Sequence, residues 1–202
     1  GGFLGLVAGM AFLIWHSPRR ARNFTVAAAA FMLFLLVSPT SPLRRMLDPS
    51  RGDVQATDVR LELWAAALRM VADRPLSGFG LASFKTNVGA YADLPYDLRL
   101  AAHNGYLEVA VEMGLPGLLA LLTLIYLACR SVDGVRRQTR RTGPPLLHRA
   151  AVGIEAGLIA FAVSLFFVSG LFLKLFWLML FLSMCLPALL PRGRARQEKE
   201  AA

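Results

Sequence analysis

Charge is scarce in this sequence and cysteine is nearly absent. Only 17% of the 202 residues are Asp, Glu, Lys or Arg, against roughly a quarter in soluble domains. The two cysteines, Cys129 and Cys185, fall in or at the end of apolar runs, where a small buried hydrophobe is their ordinary role. They supply neither a disulfide framework nor a zinc module. His103 has no second histidine and no cysteine in its loop, and no serine stands in a recognisable triad with it, which excludes a metal centre and an ordinary hydrolase. Gly1 is not an initiator methionine, and no n-region or cleavage site accompanies the first apolar run. The expectation is therefore the C-terminal part of a longer polytopic protein rather than a chain opening on a signal peptide.

What is present is hydrocarbon: 56% hydrophobic residues and a mean hydropathy of +0.52. It is concentrated in residues 2–15, 24–38, 105–129, 151–173 and 175–190, with nearly all the charge between them. That alternation is the pattern of spanning helices separated by wet loops. The first two runs fall short of the roughly 20 residues a span needs, so their ends are expected to extend into neighbouring residues.

The positive charge orients the spans. "HSPRRARN" (16–23) holds three arginines and no acid. Residues 130–149 hold six arginines against one aspartate, and the tail holds four basic residues against two glutamates. The positive-inside rule places all three on the cytoplasmic side. The run "RRQTRRTG" lies between two spans without interleaved aromatics, which favours a topology and anionic-lipid role over nucleic acid. The predicted fold is thus all-α: a polytopic integral membrane protein of about five transmembrane helices. Two span 1–38 around a short basic loop, an exterior loop with short amphipathic helices covers 39–104, and three span 105–190 around the basic loop 130–149. Residues 191–202 form a cytoplasmic tail.

The exterior loop has eight Lys/Arg against seven Asp/Glu, 8 − 7 = +1. Residues 39–56 are rich in Pro, Ser, Gly and Asp and suggest irregular chain. A helix follows, capped at Thr57 or Asp58, with Trp64 on its apolar side and Pro75 ending it. Arg60 on this helix either grips a phosphate at headgroup level or, more ordinarily, snorkels or pairs with Glu62 or Asp73. "GFGLAS" lacks a third glycine and a strand–turn–helix setting, so it suggests a turn and not a phosphate loop. Tyr91, Asp93, Tyr96 and Asp97 suit sugar binding and are equally ordinary at a membrane interface.

In "LRLAAHNGYLEVAVEMGLPGLLALL" (98–122), Asn104 caps a helix starting at Gly105, with His103 immediately before the cap. Glu108 suits the first-turn dipole, and Glu112 follows one turn later. Gly114, Pro116 and Gly117 should break the helix, leaving 105–113 as a surface piece and the span beginning near Leu115. The residues alone leave His103 open between a general base and an interfacial polar side chain.

"HNGYLEVAVEMGLPGLL" resembles the signature of the O-antigen ligase and O-antigen polymerase superfamily of bacterial envelope glycosyltransferases. "RLELWAAALRMVADRPLSGFGLASF" is similar to the segment preceding it in that superfamily. The two cover about residues 60–120, in the expected order. The resemblance implies an enzyme of the bacterial inner membrane that takes a glycan from a polyprenyl-pyrophosphate carrier at the periplasmic face and transfers it to an acceptor hydroxyl. That acceptor is a lipid A core in ligases, another repeat in polymerases, or a protein hydroxyl in protein O-oligosaccharyltransferases. It implies no cofactor and no metal, His103 as the catalytic base and Arg60 as the pyrophosphate ligand. Asn104, Glu112 and Lys174 are candidate substrate contacts, and Arg69, Arg74 and Arg99 are further cations on the same side without a motif match. Relatives have ten or more spans and a second functional arginine in an earlier exterior loop, so this chain alone is expected to be inactive. A transporter or flippase is disfavoured, because such proteins place paired charges at the bilayer midplane and these spans hold few ionisable groups. Nucleic acid is not an expected partner.

Overall fold

A computed structural model of the chain describes residues 2–37, 53–93, 100–169 and 174–190. The helices are α1 (Gly2–Trp15), α2 (Arg20–Val37), α3 (Asp53–Asp73), α4 (Phe84–Asn87), α5 (Gly105–Thr142), α6 (Pro145–Ser164) and α7 (Lys174–Cys185), with 3-10 turns at Val88–Ala90 and Leu186–Leu189. No strand occurs among the described residues. By length and composition, two helices there can cross a membrane: Gly105–Arg140 within α5, and α6. Gly2–His16 and Lys174–Leu189 are shorter apolar helices.

α5 and α6 form an antiparallel hairpin that turns at Gly143 and Pro144, so the basic stretch after residue 130 is helical through Thr142. At the opposite end the Gly105 amide donates to the Leu165 carbonyl at 2.7 Å, and the Tyr106 hydroxyl donates to the Ala162 carbonyl at 2.7 Å. From Pro145 to Leu165 the chain climbs about 30 Å at ~1.5 Å per residue, one hydrocarbon thickness. Val109, Leu121, Leu158, Phe176 and Leu180 fill the core between α5, α6 and α7. The Ser131 hydroxyl donates to the Ser183 carbonyl at 2.9 Å, bringing the end of α7 to the basic end of α5. Outward faces carry Leu6, Leu119 and Phe181, each at least 60% exposed. Such faces suit a lipid surround and would be a liability in water.

α1 lies on α6 through small residues. A Cβ at Gly5 would stand 2.0 Å from Ser164 Oγ and 2.4 Å from the Ala160 carbonyl, and one at Gly9 would stand 3.1 Å from the Ala156 carbonyl. Gly5-xxx-Gly9 against Ala156-xxx-Ala160-xxx-Ser164 lets two backbones approach where lipid offers no hydrophobic drive. This antiparallel contact places His16 and Arg20 beside Arg136, Arg140 and His148. The basic segments 16–23 and 130–149 therefore share one end of the bundle.

α2 begins at Arg20, extending ahead of the apolar run at 24 as expected. Two boundaries differ from expectation. α3 begins at Asp53 and not at Thr57 or Asp58, since residues 53–57 contain no breaker. α6 ends at Ser164 rather than continuing to 173, because residues 165–169 turn back to bond the start of α5. The apolar run there gives no hint of that tertiary demand.

Gly5→Ala should destabilise the fold by about 1–3 kcal/mol through overpacking. Gly2, with nothing near its would-be Cβ, should accept alanine. Thermal unfolding of detergent-purified protein separates the two.

Candidate functional site

α3, the 74–83 loop and α4 form a layer with its own core. Leu63, Ala66, Ala67, Met70, Phe84 and Val88 close around Val111 and Ala102 from the α5 side. The layer is clasped to α5 where that helix breaks. Gly114 has φ 70 and ψ −176 inside α5, and Gly78 has φ 64. The Phe79 amide donates to the Val111 carbonyl and the Gly80 amide to the Glu112 carbonyl, both at 2.9 Å. The Leu115 amide donates to the Pro75 carbonyl at 2.7 Å. A Cβ at Gly78 would lie 2.5 Å from the Glu112 carbonyl oxygen, and one at Gly114 would lie 2.6 Å from that of Leu76. "PLSGFG" and "EMGLPG" are thus two halves of one crossing, and the expected break before Leu115 is present.

His103 occupies the other end of this piece of α5. Its φ is +50, a left-handed conformation that costs a side chain such as histidine about 1–2 kcal/mol. Flanking bonds hold it there. The Ala102 amide donates to Glu108 Oε1 at 3.1 Å, and the Ala102 carbonyl accepts from Trp64 Nε1 at 2.8 Å. Asn104 Oδ1 accepts from the amides of Tyr106 and Leu107, the expected cap. The Gly105 amide is taken by Leu165. His103 itself is exposed between buried Ala102 and Asn104. The backbone is fixed and the imidazole is presented outward.

Glu108 is the positioning residue that the sequence underrated. It is buried, and its Oε1 also accepts from Ser169 Oγ at 2.6 Å, joining the α6 end to the His103 turn. A carboxylate in a first turn and the Ser-Gly pair at 169–170 were the available signals. Glu112 is directed to the Phe84 amide at 3.4 Å, a contact that supports α4. Lys174 opens α7 and is exposed. Among the described residues no hydrogen bond or ion pair ties Lys174 or Glu112 to His103.

Arg60 is exposed on α3, one turn before Trp64, whose indole bonds the residue preceding His103. The carboxylates that could have neutralised it are engaged elsewhere. Glu62 Oε1 accepts from Arg69 at 2.9 Å and from the Asp93 amide at 3.0 Å, and Asp73 accepts from the Tyr91 hydroxyl at 2.5 Å. Arg69 also donates to the Tyr91 carbonyl at 2.6 Å, and Arg74 stacks 4.6 Å from the Phe79 ring centroid. Arg69, Arg74, Tyr91 and Asp93 therefore secure the layer. Tyr96, Asp97 and Arg99 lie outside the described residues. The Asp93 amide, then Arg69, holds the Glu62 carboxyl below its ordinary value near 4.5. The hydrogen bond to Asp73 raises the Tyr91 phenol. No group of three or more His, Cys, Asp or Glu gathers among the described residues.

The described residues form an all-helical, membrane-type fold with a rigidly framed histidine and an arginine-bearing helix bonded beside it. The chain belongs to the O-antigen ligase family, whose pattern it matches over residues 1–122. Over 84 residues it is 31% identical to a Rickettsia prowazekii (strain Madrid E) protein whose provisional name is polysaccharide ligase, a match spanning 38% of this chain and 21% of that protein. The chain thus corresponds to about a fifth of that relative's length.

Gly114→Ala and Gly78→Ala should each lower stability by about 2 kcal/mol or more, because positive φ and rigid backbone neighbours combine. Gly134→Ala, in open space on α5, should be neutral or stabilising, as thermal unfolding would show.

Glu62 titrates with its carboxyl depressed in the fold, so its contribution is present above the ordinary value near 4.5 and is lost as pH falls through the lower folded value. Hydrogen exchange, corrected for intrinsic rates, should show amide protection at 91–93 falling across that window. Glu62→Gln should flatten the profile.

Proposed function

We propose that this chain carries the acceptor-activating half of a membrane glycosyltransferase that moves a glycan from a polyprenyl-pyrophosphate carrier to a hydroxyl acceptor at the periplasmic face. The observation that carries it is the Trp64–Ala102 hydrogen bond, which joins the turn bearing Arg60 to the strained, exposed His103. That bond supports the reading of a base and a phosphate-binding cation acting on one substrate.

In the reaction, the acceptor hydroxyl attacks the anomeric carbon of the carrier-linked glycan. His103 takes the hydroxyl proton as the new glycosidic bond forms. The bond from the anomeric carbon to the pyrophosphate oxygen breaks, and the electron pair leaves with the carrier pyrophosphate. Arg60 stabilises that negative charge through paired N–H donors. Asn104 and Glu108 hold the turn. The chemistry is the same for a lipid A core, a growing repeat or a protein hydroxyl, and the family and the named relative favour the ligase reading. The five-span topology in the inner membrane, with 39–104 periplasmic, completes the proposal, because the carrier's polyprenyl tail holds the reacting bond at headgroup depth. Lys174 and Glu112 are proposed as a peripheral cation and a supporting carboxylate.

The test uses the full-length protein in cells lacking the native gene. His103→Asn and His103→Gly both accept the left-handed backbone and supply no matched base. Both should keep normal protein levels and lose glycan transfer by about 100-fold or more. Arg60→Ala should lose comparably, with Arg60→Lys recovering only part. Wild-type transfer by either His103 variant would refute the base assignment.

A further inference from the structure

An apolar groove and a polar cavity meet at the end of the bundle away from His103, and the transfer chemistry uses neither. Between α1 and α2 runs a groove of about 1130 Å³, lined by Phe3, Leu6, Met10, Ile14, Phe24 and Phe31 among others. At its foot lies a polar cavity of about 150 Å³, walled by Trp15, His16, Arg20, Arg136, Arg140 and His148. Trp15 and Arg20 line both. From Gly114 to Arg136 α5 climbs 22 residues, about 33 Å, so this basic cavity stands one bilayer thickness from the His103 layer.

The charges show what the polar cavity lacks. Arg136 is neutralised by Asp133 and by Glu155, whose Oε2 lies 2.6 Å from Nε, and Arg137 is held by Asp133 at 2.8 Å. Arg20 and Arg140 form no ion pair among the described residues. Arg20 rests 5.2 Å from the Trp15 ring centroid. The two imidazoles are fixed walls. His16 Nδ1 donates to the Phe12 carbonyl at 3.0 Å. Thr139 Oγ1 donates to the Val135 carbonyl and so accepts from His148 Nδ1 at 3.2 Å. The cavity carries a surplus of two guanidiniums and calls for an anion.

A soluble anion would account for the polar cavity alone. The groove, almost wholly apolar and continuous with that cavity at Arg20, calls for hydrocarbon attached to the anion. We propose that groove and cavity together bind a phosphate-bearing anionic lipid, its tail between α1 and α2 and its phosphate among Arg20, Arg136 and Arg140. The tail adds little selectivity, since the surrounding bilayer is equally apolar. Discrimination rests on the arginines.

Native mass spectrometry of the detergent-purified full-length protein tests this, with phosphatidylglycerol and phosphatidylethanolamine of identical tails and, separately, inorganic phosphate. Phosphatidylglycerol should be retained at least tenfold better than phosphatidylethanolamine. Arg20→Gln/Arg140→Gln, at two exposed positions, should lose roughly tenfold of that retention. Ala28→Trp, which fills the groove without changing charge, should lose it too. Equal retention of the two lipids, or retention unaffected by the arginine pair, would overturn the site. Inorganic phosphate displacing the lipid at equal concentration, or Ala28→Trp binding as wild type, would overturn the lipid assignment, as would a groove filled by other segments of the full-length chain.

Discussion

The start of α5 is the constraint on which the rest of the structure depends. A helix start buried against its neighbours has amides with no partner of their own, and each one left unmet is costly. Here Asn104 takes those of Tyr106 and Leu107, and Leu165 takes that of Gly105. Meeting these amides requires the end of α6 to turn back and the chain before Gly105 to reverse sharply. His103 is the residue on which that reversal falls, and its left-handed backbone follows from the need to close the helix on both sides.

The same closure organises the exterior layer. Trp64 reaches the carbonyl of Ala102 and Glu108 reaches its amide, so one peptide segment is held from α3 and from α5 together. Just beyond Glu112, the Gly78 and Gly114 crossing secures the far side of the layer. Arg69, Tyr91, Asp73 and Glu62 then use their polar groups on one another. Glu62, Arg69 and Asp73 are thereby spent on architecture, and His103 and Arg60 are left exposed. The proposed glycan-transfer site calls for charge that is not already neutralised, and this division leaves Arg60 without an ion pair among the described residues.

Much of this was legible in the chain. The helical class, the cap at Asn104, the break at "EMGLPG" and the turn at "GFG" follow from local chemistry: a side-chain oxygen for free amides, glycine for positive φ, proline against a helix interior. The basic segments that share one end were legible from charge alone. Less legible were the premature end of α6, the role of Glu108 with Ser169, the engagement of the Tyr91 hydroxyl by Asp73, and that of the Asp93 amide by Glu62. Each depends on a partner 18 to 61 positions away, and no periodicity encodes such a pairing.

By itself the sequence determined that this chain is helical and apolar, where α5 breaks, and which histidine and arginine the family resemblance singles out. Those properties reside in single residues and their immediate neighbours. Only the tertiary structure decided that the helix bearing Arg60 is bonded to the residue before His103, that Glu62 and Asp73 are already occupied, and that two basic connections close around one cavity. These are matters of which distant groups satisfy one another's hydrogen bonds and charge, and that competition is resolved only when the helices pack.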